Sequence, residues 1–406
     1  AASSFSQTGW AVFNSHIDNQ QLFEKFVELV GTPEKVFIQG GSMGGIVSLR
    51  DLESGIIPDV DGALLLCGAV AGAQNWYNAF DLRMVYEAVC EDVSGAELPT
   101  QFWYEQPNLV RGELDFLDSL ERCTGLISSQ QVGGVIGSLL RSSGQNERLN
   151  RILDITQTDI SFLLLNLGYA VFEIPNLVNQ TDKLNGLLPF DNAAVDYGDA
   201  DINLRVKRTA ALPSSRQLLL ENYSPSGEIG NTKIVSIHTS GDGLVGVSNQ
   251  RLLRDLIPAS QLSIAIAVEE EPSHCGFSDD EGLAAWNNLR SWVDGGAQPD
   301  AQVIQNTCQT NNTNPDQCRF DFSFELPDSV VTFQRNNSAP TLGYNRYDSA
   351  TSIISIEALK QAGERGTYNL ELLLSLQNGS VFNLGDVEPV VEIDSWQHQA
   401  LFLPDQ

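Results

Sequence analysis

The sequence predicts an α/β fold, and three observations carry that reading. Short apolar runs suited to strands buried on both faces recur along the chain and alternate with stretches of helical period. One such run leads directly into a glycine-flanked serine, Gly40-Gly41-Ser42-Met43-Gly44-Gly45. A long interval of helical period separates the first apolar runs from the later ones.

Taken in order, Thr8-Gly9-Trp10-Ala11-Val12-Phe13 reads as a strand. The stretch from Asn19 to Val30, with Leu22, Phe23, Phe26, Val27 and Val30 on one face, reads as an amphipathic helix. Val36 to Gly41 forms the strand before the serine, and Ile46-Val47-Ser48-Leu49 continues into a helix. A strand, a crossover helix and a second strand imply a parallel pair. Asp61 to Gly68, Lys233 to His238 and Leu262 to Val268 are further buried-strand runs, and Asp279 to Val293 reads as a helix carrying Leu283, Trp286, Leu289 and Trp292.

Between these runs, Phe80–Val89, Phe116–Cys123, Val132–Leu140 and Ile160–Leu167 have helical period, with Pro175, Pro189 and Pro213 breaking the intervals. They predict a helical cap inserted into the sheet and covering its carboxyl edge. From Gly295 onward, Asp321–Leu326, Thr367–Leu376 and Val390–Ile393 predict a small β-rich unit. The expected organisation is an α/β core over 1–75 and 228–295, a mostly helical cap over 76–227, and a β-rich unit over 296–406.

Composition narrows the function classes. Of the 406 residues, 42% are hydrophobic, so a large core is expected, and no apolar run approaches the ~20 residues that span a bilayer. Acidic residues number 52 against 23 basic, a formal net charge of −29, which disfavours nucleic acid and anionic lipid as partners. The six cysteines lack a C-x-x-C pair and predict disulfides in an exported protein, with Cys308 and Cys318 placed to restrain a polar loop and the other pairings open. Sequons at Asn179, Asn222, Asn311, Asn336 and Asn378 fit export, and the opening Ala1-Ala2-Ser3-Ser4 fits removal of a signal peptide.

The chemistry centres on Ser42. Gly40 and Gly44 flank it with the G-x-S-x-G spacing of a nucleophile elbow, where a side chain at either glycine is expected to collide with backbone. The Met43 N–H is a candidate oxyanion donor. A serine hydroxyl needs a base, and the base an orienting acid. Of four histidines, His274 lies in a loop between a strand and a helix, whereas His238 falls within a strand and reads as structural, as does His398 in the C-terminal unit. His16 is a weaker site candidate. Asp242, between Gly241 and Gly243 after a strand, is the candidate acid, ahead of Asp191, Asp201 and Asp255, none of which follows a clear core strand.

The order Ser42, Asp242, His274, carried by GGSMGG, HTSGDGLV and SHCGF, resembles the α/β-hydrolase superfamily across residues 8 to 295. The resemblance implies an α/β-hydrolase core with a mostly parallel sheet. It also implies Ser42 as nucleophile, His274 as general base and acid, Asp242 as orienting group, and hydrolysis of carboxylic esters through an acyl-enzyme. Members carry several strands before the elbow and draw the second oxyanion amide from a loop among them, whereas about forty residues precede Ser42 in this sequence. In tannase- and feruloyl-esterase-like members a cysteine precedes the serine and pairs with one after the histidine. His274-Cys275 matches the second half of that pattern, and Gly41 stands where the first cysteine is expected. No metal or organic cofactor is expected, and the expected partner is a small or polymeric ester. Trp76, Tyr77, Trp103, Tyr104 and Phe190 are candidates either for an acyl pocket or for core packing. A peptidase of the same fold and a binding protein that has lost catalysis are the alternative functions.

Overall fold

The computed structural model describes residues 2, 4–127, 134–211, 213–312, 314–334, 353–357, 370–375 and 381–387. After a 3-10 turn at Ala11–Phe13 the order is α1 (Ser15–Val30), β1 (Val36–Gly41), α2 (Met43–Ser54), β2 (Val60–Leu66) and α3 (Ala73–Cys90). There follow α4 (Gly112–Thr124), α5 (Gly134–Leu140), α6 (Ser143–Thr156), α7 (Leu163–Gly168), α8 (Ile174–Asn179), α9 (Ala200–Arg205), β3 (Thr209–Ala210) and α10 (Pro213–Tyr223). The chain continues with β4 (Lys233–Thr239), α11 (Asn249–Leu256), β5 (Leu262–Ala267), α12 (Asp279–Val293), α13 (Ala301–Asn311), β6 (Ile353–Glu357), β7 (Leu370–Ser375) and β8 (Val381–Val387). Two compact units result, one of residues 1–79, 157–169 and 220–332, the other of 80–156, 170–219 and 333–406.

The first unit holds a sheet of order β1-β2-β4-β5 in which every pair is parallel. Its inner strands β2 and β4 are short, mostly buried apolar runs, as a parallel sheet covered on both faces requires, whereas the edge strand β1 is partly exposed. Leu64, Val235, Ile237 and Ala265 from the sheet form one core with Leu289 and Trp292 of α12 and Ile304 and Cys308 of α13. The register aligns the strand ends: Gly41 lies opposite Leu66, Leu66 opposite Ile237, and His238 opposite Ile266. All four strands therefore deliver their following loops to one edge of the sheet, the carboxyl edge where open α/β sheets hold ligands.

α12 starts at a complete capping box, in which the Ser278 hydroxyl accepts from Glu281 N–H and the Glu281 carboxylate accepts from Ser278 N–H. α13 falls in a stretch expected to be β-rich. Its signals were an Asp300 cap, which accepts from Val303 N–H, and apolar Ala301, Ile304 and Cys308 at helical spacing. Among the described residues beyond it, only Phe320 pairs with this sheet, in a single bridge to Ala267, and 321–326 is not a strand. The Asp321 carboxylate accepts from both Ser323 N–H and Ser323 Oγ–H, a local turn that competes with the ladder. The expected strand over Thr8–Phe13 is also absent: Trp10, Ala11, Val12 and Phe13 are buried in a turn, a contiguous apolar run that periodicity alone does not resolve.

In the second unit the helical reading of the insertion holds over 80–89 and 116–123. Phe80 stacks on Phe190, and Trp103 meets both rings edge-on, so Trp103 and Phe190 serve core packing. The expected β character near the C-terminus is present as antiparallel β6-β7-β8, with β3 added in parallel to β8. The expected strand at Val390–Ile393 lies outside the described residues, as does His398. Three disulfides are present: Cys67–Cys275, Cys90–Cys123 and the expected Cys308–Cys318. Among the described residues no helix is long and apolar enough to cross a membrane.

Two outcomes are expected from this packing. Leu289→Ala, at a fully buried position in the core, should lower stability by about 3 kcal/mol in urea unfolding. On α2, burial pushes the Asp51 carboxyl from 3.8 up to about 7, against a 2.8 Å hydrogen bond from Asn19. The folded protein thus keeps a proton that the unfolded chain releases, so this contribution is complete below pH 3.8 and lost as pH rises through 7. Asp51→Asn should flatten the pH dependence of stability across that window and exceed the native chain in stability above it, as read from unfolding midpoints.

Candidate active site

Ser42 joins β1 to α2 with φ 53° and ψ −121°, a backbone conformation that L side chains rarely adopt. Three hydrogen bonds hold it there: Ser42 N–H donates to Leu66 O (2.9 Å), and Ser42 O accepts from Gly45 and Ala69 N–H (both 3.0 Å). A Cβ on Gly40 would run into the Gly44 carbonyl, as expected from the spacing. At Gly44, by contrast, a Cβ would meet open space. The second obligatory glycine is instead Gly45, whose Cβ would lie 2.5 Å from Gly68 Cα, so close approach of α2 to the turn after β2 is what demands it. Met43 opens α2, and its N–H is one of the amides that a helix start leaves without an intrahelical acceptor.

Asp242 stands three residues past the end of β4 and His274 in the loop after β5. The two loops are zipped together by a parallel bridge, Gly243 N–H to Ser273 O and Ser273 N–H to Gly241 O, each 3.0 Å. The buried Asp242 carboxylate accepts from Leu244 N–H (3.0 Å) and Val245 N–H (2.8 Å) on one oxygen and from Cys275 N–H (3.3 Å) on the other. His274 Nδ1 lies 2.9 Å from that second oxygen, and Nε2 lies 2.9 Å from Ser42 Oγ. With Nδ1–H donating to the carboxylate, Nε2 is left as an acceptor for the serine hydroxyl. The carboxylate is fully buried while the His274 side chain is 23% exposed, so the chain of groups runs from the interior toward solvent.

The other candidates lie elsewhere. Asp191 accepts from Ala193 and Ala211 N–H, Asp201 pairs with Arg151, and Asp255 pairs with Arg251. His16 sits on α1, its pKa lowered first by burial and then by Arg50, with Asp18 opposing. His238 is buried beside the Asp242 loop.

One feature was left open in the sequence: the partner of Cys275. It is Cys67, the residue after β2. Gly41 lies opposite Leu66, so Cys67 follows by one residue, one strand over, and a sulfur from the neighbouring strand reaches the cysteine that follows the histidine. Both cysteines have positive φ, 45° at Cys67 and 57° at Cys275. The signal for this pairing was positional only, a cysteine directly after a core strand. Cys67, Asp242, His274 and Cys275 are also the one set among the described residues with donors close enough to hold a metal ion, within 4.8 Å. The two sulfurs are bonded to each other and the ring bridges acid and serine, so covalent and hydrogen bonding account for the cluster.

If the bridge holds the histidine loop, the Cys67→Ser/Cys275→Ser chain should retain its circular-dichroism spectrum while reaction of Ser42 with a fluorophosphonate slows about tenfold or more, the worth of a catalytic group displaced by a fraction of an ångström.

No protein-family model matches the chain, and no characterised protein sequence does. Solved structures similar to it include a serine hydrolase from Cycloclasticus zankles (17% identity, TM-score 0.29, covering 73% of this chain and 76% of that one). Others are lipase A of Candida antarctica (13%, TM-score 0.32, 74% and 64%) and an esterase from Aspergillus oryzae (12%, TM-score 0.35, 70% and 63%), so the chain spans just under two thirds of those two. In its own topology, with an elbow serine after β1, an acid after β4 and a histidine after β5 of a parallel sheet, the chain has an α/β-hydrolase fold.

Proposed function

We propose that the chain is a serine hydrolase that cleaves carboxylic esters through an acyl-enzyme. The observation that carries this reading is the continuous hydrogen-bonded chain from Asp242 through His274 to Ser42, on loops from three different strand ends. His274 Nε2 takes the proton as Ser42 Oγ attacks the ester carbonyl, and Asp242 stabilises the imidazolium that forms. The Met43 N–H donates to the developing oxyanion at the positive end of α2. The imidazolium then protonates the departing alcohol, and water, deprotonated by the same histidine, releases the acid and restores the serine.

Three disulfides support a protein that works in an oxidising compartment, so we place it outside the cytoplasm.

The test is reaction of the purified chain with a fluorophosphonate, mapped by mass spectrometry, beside turnover of p-nitrophenyl esters and peptide amides. Labelling at Ser42 and ester turnover are expected, with Ser42→Ala unlabelled and slower by about 10³-fold or more. Intact protein that does not label overturns the reading. Turnover of amides in preference to esters would make it a peptidase.

A further inference from the structure

The Asp242 loop has a second histidine behind it. His238, the penultimate residue of strand β4, is fully buried. Its Nε2 lies 2.7 Å from Val245 O, which can only accept, so Nε2 carries the proton and donates. Its Nδ1 lies 3.0 Å from the Gln250 side-chain nitrogen, so the amide donates and Nδ1 accepts. The ring is therefore neutral. Turning the Gln250 amide over would require a charged ring. Burial opposes that charge most strongly, and the nearby His274 adds to the opposition. Asp242 and the Val245 hydrogen bond favour it, and the net pKa is lowered. Gln250 is itself fully buried, and its oxygen has no partner among the described residues, so the amide's hydrogen-bonding role is spent on His238.

The consequence lies in what Val245 does with its other polar group. Its N–H donates to the Asp242 carboxylate at 2.8 Å, and that carboxylate orients His274. His238 Nε2 stands 3.7 Å from the nearer Asp242 oxygen, beyond a hydrogen bond. It reaches the acid only through the Val245 peptide. We propose that His238 is a positioning residue for the Ser42–His274–Asp242 chain: its neutral ring grips the Val245 peptide from behind and so fixes the amide that fixes the carboxylate. The far side of the same loop is gripped by buried Asn249, whose Nδ2 donates to Gly246 O (2.9 Å) while its Oδ1 accepts from Ala71 N–H (2.8 Å). The inference rests on the hydrolase reading above.

Three variants of the intact chain test it. His238→Gln places an amide donor where Nε2 stood. His238→Asn has a shorter side chain, whose amide falls short of Val245 O. His238→Leu removes the donor altogether. Active sites are counted by fluorophosphonate labelling, so loss of folded protein does not count as loss of rate. Per labelled site, Leu and Asn should lower kcat about 5- to 15-fold, the worth of one buried hydrogen bond, with KM held within about twofold. The acid limb of the kcat/KM profile should move to lower pH, because a less well-aligned carboxylate stabilises the His274 imidazolium less. Gln should restore most of both. A purely space-filling His238 would lower unfolding midpoints and leave kcat per site and the acid limb in place, and that result overturns the proposal; if Leu does not fold, Asn decides. Should the native chain neither label nor turn over esters, the hydrolase reading fails. The positioning is then read from the downfield proton resonance of His274 Nδ1–H, and a resonance unchanged in His238→Asn overturns it.

Discussion

The site depends on one buried negative charge. A carboxylate removed from water is tolerated only where donors replace its hydration. At Asp242 those donors are Leu244, Val245 and Cys275 N–H and His274 Nδ1–H. Two come from the loop after β4 and two from the loop after β5, so satisfying the charge also sets the geometry between the loops. The parallel bridge between Asp242 and Ser273 makes the pair of loops a single piece.

Ser42 joins that piece through the sheet rather than through the loops. Its backbone strain is of a kind that costs about 1–3 kcal/mol and persists only where surrounding contacts over-determine it. Here the contacts are the bonds to Leu66, Gly45 and Ala69 and the near-contact of Gly45 with Gly68. Because β1 and β2 pair in register up to Gly41 and Leu66, the serine, the disulfide and the histidine loop are referred to the same two strand ends.

Much of this was legible in the sequence because the informative elements are locally encoded. Val36–Gly41, Val60–Leu66, Lys233–Thr239 and Leu262–Ala267 are apolar runs bounded by turn residues, and the glycines around Ser42 and Asp242 mark the sharp turns. Trp10–Phe13 misled because a contiguous apolar run fits a buried turn as well as a strand. α13 was missed because its cap and spacing were outweighed by β-branched and polar residues nearby. Gly45 rather than Gly44 is the tight position because that depends on Gly68, a contact between separate elements that local spacing does not encode. The Cys67 pairing and the His238–Val245–Asp242 relay were hidden for the same reason.

The Cys67–Cys275 bridge spans a sequence separation of 208, and the serine and histidine it serves are 232 residues apart. Contacts of that range form slowly, because closing a long loop must precede any reward from it. A chain unfolded with its disulfides intact still carries both loops on one covalent ring and begins to fold with one of its long-range encounters already made. A reduced chain has to find that encounter by diffusion. The same bridge can close only after residue 275 has been synthesised and both thiols have been oxidised, so the covalent tie between the two loops cannot precede either event.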